Sequence, residues 1–315
     1  MKKIILSLIV ILLLGGCQSV KTAQEEAKIK VVVTSFSVYD WVRNIIGDEV
    51  ELVLLMDGAA DLHNYQPTME DMVIISEADL FIYIGGTSDD WVTDTLSTVG
   101  KEVHTLNLMA ALGDEVKVEE VVEGMEDEHG EEEHADEELD EHIWLSLRYA
   151  QKSVDIIVDE LNLINPEMKS QYEENKQKYI EQLIQLDTRY QDMVATSTMQ
   201  TMIVGDRFPF RYLLDDYGIS YYAAFSGCSA ETEASFETVV FLANKVDELE
   251  ISKIVILENS TGDIATVVKE TTENKNQEII QLNSLQSVTK EMIAQGVTYL
   301  SVMEENLNSL KEILR

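Results

Sequence analysis

Residues 167–196 read EMKSQYEENKQKYIEQLIQLDTRYQDMVAT, thirty residues with helical spacing and neither glycine nor proline. Asn165-Pro166 stands immediately ahead of them. Proline is at home in the first turn of a helix, where its missing N–H has no intrahelical partner to lose. At 1.5 Å per residue such a helix reaches about 45 Å, long enough to join two domains. What lies on either side supports that reading. Upstream, strands are expected at residues 30–34 (KVVVT), 50–55, 80–84 and 103–106, with helices at 38–46, 69–78 and 143–163. Downstream, strands at 201–204, 220–225, 253–257 and 279–282 alternate with helices at 212–217, 236–248 and 297–314. Strands separated by helical stretches indicate βαβ units and parallel sheets. The expected fold class is α/β, with two lobes, each a mainly parallel sheet flanked by helices, joined by one long linking helix. The corresponding division is an N-terminal lobe at 29–165, the linking helix at 166–197 and a C-terminal lobe at 198–315.

The first residues point to export. Lys2 and Lys3 precede an apolar run at residues 4–14 that is broken only by Ser7. Eleven residues are too few to cross a bilayer, so residues 1–16 read as a secretory signal. Leu14-Gly15-Gly16-Cys17 resembles the lipobox of bacterial lipoproteins, with Cys17 as the lipidated first mature residue and residues 17–28 as a polar tether. A plain signal peptide with an incidental cysteine is the alternative. The lipobox reading implies an extracytoplasmic protein, lipid-anchored to the bacterial cell membrane and able to capture something at the surface.

Charge narrows the partner. Acidic residues outnumber basic ones 59 to 23 in the 315-residue chain, a formal net charge of −36. Such a field repels phosphate backbones and attracts cations, which excludes nucleic acid. Residues 114–141 concentrate the charge, with 16 of 28 positions Asp or Glu and His129 and His134 among them. A segment so poor in apolar residues is expected to be a mobile loop. With only Cys17 and Cys228 there is no CxxC metal cage.

In parallel α/β sheets ligands bind beyond the carboxyl ends of strands, and one of two notable histidines falls in such a loop. His63 lies in the loop after the second strand, and His142 opens a helix in Glu141-His142-Ile143-Trp144. Either alone is an ordinary loop or capping residue. Together, in an acidic exported chain, they suggest zinc, for which neutral imidazole is the commonest ligand. His104, in an expected strand, reads as a core or edge residue. Cys228 can offer a thiolate, but a lone cysteine is more often a small buried hydrophobe.

Four segments carry a family resemblance: Asp61-Leu62-His63-Asn64-Tyr65-Gln66-Pro67-Thr68, Glu141 to Ser146 (EHIWLS), Tyr212 to Ile219 (YLLDDYGI) and Tyr299 to Leu307 (YLSVMEENL). With the lipobox, the linking helix and the acidic histidine loop, the mature chain resembles the zinc/manganese solute-binding proteins of ABC transporters. The resemblance implies a monomer, not an enzyme, that binds Zn²⁺ in the interlobe cleft and delivers it to an ABC permease. His63 and His142 would then be ligands, and His129 and His134 an auxiliary loop that recruits zinc. The chain departs from the family in the C-terminal lobe. Where a His or Glu is usual before the aromatic segment, it has Gly205-Asp206-Arg207-Phe208-Pro209-Phe210. Arg207 matches by spacing but a guanidinium cannot ligate a cation, so Asp206 is the expected third ligand, unless it pairs with Arg207 or Arg211. Asn283 stands where the family often has aspartate, and it and Glu231 are possible additional ligands, helix capping or exposure being the ordinary role of Glu231. Glu258, also after a strand, has the same two readings. Manganese, which prefers more oxygen ligands, is the second choice of metal. A zinc-dependent hydrolase is the second choice of class, against which stands the lack of HExxH and GxSxG.

Overall fold

The computed structural model describes residues 28–48, 50–56, 63, 65–125, 138–229 and 233–315. Cys17, His129, His134 and Glu231 lie outside the described residues, as does most of the loop leading to His63.

Among the described residues, eight strands form two four-stranded sheets, and every pairing within them is parallel. The first holds β1 (Ile29–Val33), β2 (Val50–Leu54), β3 (Leu80–Tyr83) and β4 (Thr105–Asn107) in the order β2-β1-β3-β4. The second holds β5 (Thr201–Phe208), β6 (Ser220–Ser226), β7 (Lys253–Leu257) and β8 (Glu278–Leu282) in the order β6-β5-β7-β8. The two orders are the same pattern. In each, the chain leaves the first strand to one side and then crosses to the other, so a crevice opens beyond the carboxyl ends where the order reverses. His63 follows β2, Cys228 follows β6, and Asp206 lies within β5, two residues before its end.

Helices cover both sheets, as the alternation in the sequence requires: α1 (Phe36–Ile45), α2 (Met69–Ser76), α3 (Trp91–Val99), α4 (Leu108–Leu112) and α5 (Leu147–Ile164) in the first half. After a single turn at Pro166–Met168, α6 (Lys169–Thr196) runs 28 residues between the two halves. It buries Tyr172, Tyr179, Leu183, Leu186, Tyr190 and Met193 on one face, a helical period that gives a continuous apolar stripe. The second half adds α7 (Arg211–Tyr217), α8 (Phe236–Glu248), α9 (Asp263–Thr271), α10 (Lys290–Ala294) and α11 (Tyr299–Ile313). No helix among the described residues is long and apolar enough to cross a membrane.

One apolar cluster runs through both halves by way of α6. Trp41 of α1 meets Tyr299 of α11 edge-to-face, with ring centroids 5.4 Å apart. Beside them the buried Asp40 carboxylate accepts from the Tyr299 N–H at 3.0 Å, at the positive end of α11, and is paired with Arg43. Burial pushes the Asp40 carboxyl above its usual range despite Arg43. Trp144 donates its indole N–H to the Ser284 carbonyl at 2.8 Å, and the Tyr299 hydroxyl donates to the Trp144 carbonyl at 2.7 Å. The halves are therefore tied by buried polar contacts as well as packing.

Two expectations change here. The acidic segment is ordered at its flanks: Val118 and Leu139 form an antiparallel bridge, the Glu119 N–H donates to Glu138 C=O at 2.7 Å, and Met125 is buried. The Tyr212 hydroxyl adds to this by accepting from the Lys117 N–H and donating to the Asp140 carbonyl, both at 2.9 Å. Its flanks thus borrow surface from the second half that composition alone does not reveal. His104 precedes β4 and is half-exposed; its Nε2 lies 2.7 Å from the Glu160 carboxylate.

Candidate metal centre

The turn after β3 prepares the site. Gly85 and Gly86 both have positive φ, 91° and 83°, the region L side chains avoid. At Gly86 a Cβ would also lie 2.7 Å from Glu141 Oε2, so the backbone passes against that carboxylate only because no side chain intervenes. Ser88, two residues on, donates its N–H to Glu141 Oε2 at 2.9 Å and its hydroxyl to Glu141 Oε1. His63 Nδ1 lies 2.9 Å from that hydroxyl and 3.5 Å from Glu141 Oε1. A serine hydroxyl carries one proton, already given to Glu141, so His63 Nδ1–H is the donor in the contact.

His142 is held from the other side. Asp140 Oδ1 accepts from the His142 backbone N–H and lies 2.9 Å from Nδ1, each contact at the same length. A carboxylate on one ring nitrogen fixes the tautomer and presents the other, Nε2, as an electron-pair donor. Nε2 is fully buried and has no hydrogen-bond partner among the described residues. A buried imidazole nitrogen left without a partner costs about 1–3 kcal/mol unless something occupies it. Burial disfavours the imidazolium, yet Asp140, Glu141 and Glu119 outweigh it and raise the His142 pKa. The His63 and His142 rings are 5.9 Å apart, and Trp144 covers His142 at 5.1 Å.

Cys228 completes the group. Donor atoms of His63, Glu141, His142 and Cys228 all lie within 4.8 Å of one another. Ligands of a tetrahedral zinc stand about 3.3–3.8 Å apart, so a contraction of about 1 Å would seat the ion. Burial, and then the charges of Glu141, Glu119, Asp140 and Glu138, push the Cys228 thiol far up. Burial likewise raises Glu141 and Glu119. Glu119, Glu138 and Cys228 form a second overlapping group. The cleft that opens beside the site has a volume of about 490 Å³, with His63, Thr87, Asp206, Arg207, Cys228 and Glu258 among its lining residues.

The structure does not bring Asp206 into the group. Strand β5 continues through it to Phe208, with a bulge between Val204 and Arg207. There Asp206 Oδ1 accepts from the Arg207 N–H at 2.9 Å and Oδ2 from the Leu257 N–H of β7 at 3.3 Å. Its carboxylate closes the crevice floor between two strands and lines the cleft without joining the imidazoles. Asn283 is also elsewhere. Its side-chain oxygen accepts from the Leu285 N–H at 2.8 Å, and Asn306 takes up its backbone N–H and C=O. Glu258 accepts from the Ser284 N–H and hydroxyl, both at 2.8 Å. Sequence reasoning weighed Cys228 and set it aside as a small buried hydrophobe, and it gave Glu141 no ligand role, although the acidic residue beside His142 was the available signal.

Residues 31–313 match the family described as zinc-uptake complex component A, periplasmic. The zinc-binding lipoprotein AdcA of Streptococcus pneumoniae is 31% identical over 318 residues, which cover 99% of this chain and 61% of that protein. The chain thus spans about three-fifths of the length of the first curated relatives it matches. The high-affinity zinc uptake system protein ZnuA of Bacillus subtilis is 28% identical over 91% of this chain and 88% of its own length. Among solved structures, the Zn(II)-bound ZnuA-like domain of S. pneumoniae AdcA superposes with a TM-score of 0.71 at 30% identity, over 91% of this chain and 99% of that one. The metal-dependent lipoprotein YcdH of B. subtilis superposes with a TM-score of 0.74 at 26% identity, over 91% and 99%.

Proposed function

Because the chain belongs to the zinc-uptake complex component A family, we propose that it captures Zn²⁺ at the His63–His142 centre and hands it to an ABC permease. The observation that carries this reading is His142, its ring fixed by Asp140 and its buried Nε2 without a hydrogen-bond partner among the described residues, in a group that includes a second imidazole. Two imidazoles with a carboxylate suit zinc better than manganese, which prefers oxygen. The related proteins named for zinc binding support the same metal. The chain would act outside the cytoplasmic membrane as a monomer, held there by lipid on Cys17, with His129 and His134 raising the local zinc concentration. Capture and release are binding steps, and no reaction is assigned to the site. The test is metal content and affinity. Purified protein should retain close to one tightly held zinc, and His63→Ala with His142→Ala should abolish it. Undiminished tight binding in the double variant would overturn the assignment.

A further inference from the structure

We propose that Cys228 is the C-terminal lobe's ligand to the transported zinc, its thiolate closing the set begun by His63, His142 and Glu141. The inference rests on the zinc reading above and specifies the residue by which the second lobe grips the ion. A lone cysteine is ordinarily a small buried hydrophobe. The surroundings of Cys228 contradict that role, because it sits among imidazole and carboxylates, with its Sγ within 4.8 Å of the other three donor atoms. His142 belongs to the same group, and its fully buried Nε2 has no hydrogen-bond partner among the described residues, an independent sign that this histidine is built to hold a ligand.

The loop that carries Cys228 is built for this approach. Gly227 brings its backbone against the His142 ring so closely that a Cβ would lie 2.8 Å from Cε1 and 3.1 Å from Nδ1. Glu119, from the first half, accepts from the Cys228 N–H at 3.2 Å. Arg207, from β5, donates to the Ser229 carbonyl at 3.4 Å. The cysteine is therefore fixed between one residue of each half. Arg207 occupies the place from which a ligand was expected by spacing, and it instead steadies the loop that delivers another. Asp206, one residue earlier, is committed to backbone N–H groups. The ligand has moved from β5 to the end of the neighbouring strand β6.

On binding, the Zn–S bond forms as the S–H bond breaks, and the proton passes to solvent buffer; a coordinating thiol is deprotonated outright. A soft thiolate favours zinc over manganese, so Cys228 also sets the selectivity of the site.

Cobalt(II) tests this directly as a spectroscopic stand-in for zinc. The purified protein loaded with Co²⁺ should show the visible bands of a tetrahedral site together with a near-ultraviolet sulfur-to-cobalt charge-transfer band. Cys228→Ser, nearly the same size, should lose the near-ultraviolet band and bind zinc about a hundredfold more weakly, one ligand's share of a tight zinc site. Its Mn²⁺ affinity should change by less than about threefold, because manganese gains little from sulfur. Visible bands in the wild-type protein without the charge-transfer band would overturn the role of Cys228 and leave zinc capture by the histidines standing. Unchanged zinc affinity in a folded Cys228→Ser variant would do the same. Failure of the wild-type protein to take up Co²⁺ or Zn²⁺ would overturn both. Should the serine variant not fold, the wild-type spectrum still decides.

Discussion

Removing the Asp140 carboxylate should weaken zinc binding without touching any proposed ligand. Asp140 Oδ1 accepts from the His142 N–H and lies 2.9 Å from Nδ1, and both donors are buried. Without it, two buried N–H groups lose their acceptor, at about 1–3 kcal/mol each, and Nε2 is no longer obliged to be the lone-pair nitrogen. Asp140→Asn keeps an acceptor and loses only the charge, so zinc affinity should fall about tenfold; Asp140→Ala should cost about a hundredfold. The assay is competition against a chromophoric zinc chelator, with thermal melting of the zinc-depleted proteins to confirm folding. Acidity adds a second signature. Zinc needs the unprotonated ring, and Asp140 is the largest contributor among those raising the His142 pKa, opposing burial. In the wild type, protons therefore compete as pH falls through a value above the usual 6.5 or so for imidazole. In the alanine variant burial acts with less opposition, competition moves to lower pH, and the gap between the two proteins should narrow on acidification. Equal affinity of wild type and Asp140→Ala at neutral pH would refute the account of how His142 is oriented.

Gly227→Ala places a methyl 2.8 Å from the His142 ring, so the loop must retreat; zinc affinity should fall about tenfold or more while the zinc-depleted fold persists. Asp89, whose Oδ2 accepts from the Gly85 N–H at 2.9 Å, has a pKa pushed up to about 7, first by burial. A carboxyl with a raised folded-state pKa stabilises the fold below its unfolded pKa and loses that contribution as pH rises, here up to about 4 kcal/mol between about pH 4 and 7. Denaturant unfolding should show a smaller loss over that window in Asp89→Asn, which retains an acceptor for Gly85. Replacing residues 126–137 by a Gly-Ser linker should leave the tight zinc intact and remove weaker equivalents seen by equilibrium dialysis, if His129 and His134 only recruit the ion.

Much of the fold could be read locally because each element carries its own signal. The linking helix announces itself by thirty residues without a breaker, and β7 and α8 fall at residues 253–257 and 236–248 as the pattern indicates. The part of the proposed centre borne by the first half was equally visible, since His63 and His142 stand in aromatic, acidic motifs at element boundaries. The second half of the site was not. Whether Asp206 faces an ion or a backbone N–H depends on β5 running on to Phe208 and on the bulge that sets it beside Leu257, a tertiary fact. Asn283 looked available until the Asx turn onto Leu285 used its oxygen. Cys228 gave no motif at all, because its company comes from Glu119, Glu141 and His142, more than eighty residues away in the chain. Ligand sets assembled across two sheets are written in loop geometry, which spacing does not encode.

The measurement that bears most directly on the centre is a crystal structure of the protein grown with zinc, with diffraction recorded on either side of the zinc absorption edge. The account predicts one strong anomalous peak about 2.0–2.1 Å from a ring nitrogen of each of His63 and His142, with the Cys228 sulfur about 2.3 Å away. A principal peak bound elsewhere, with His142 Nε2 still unliganded, would contradict it.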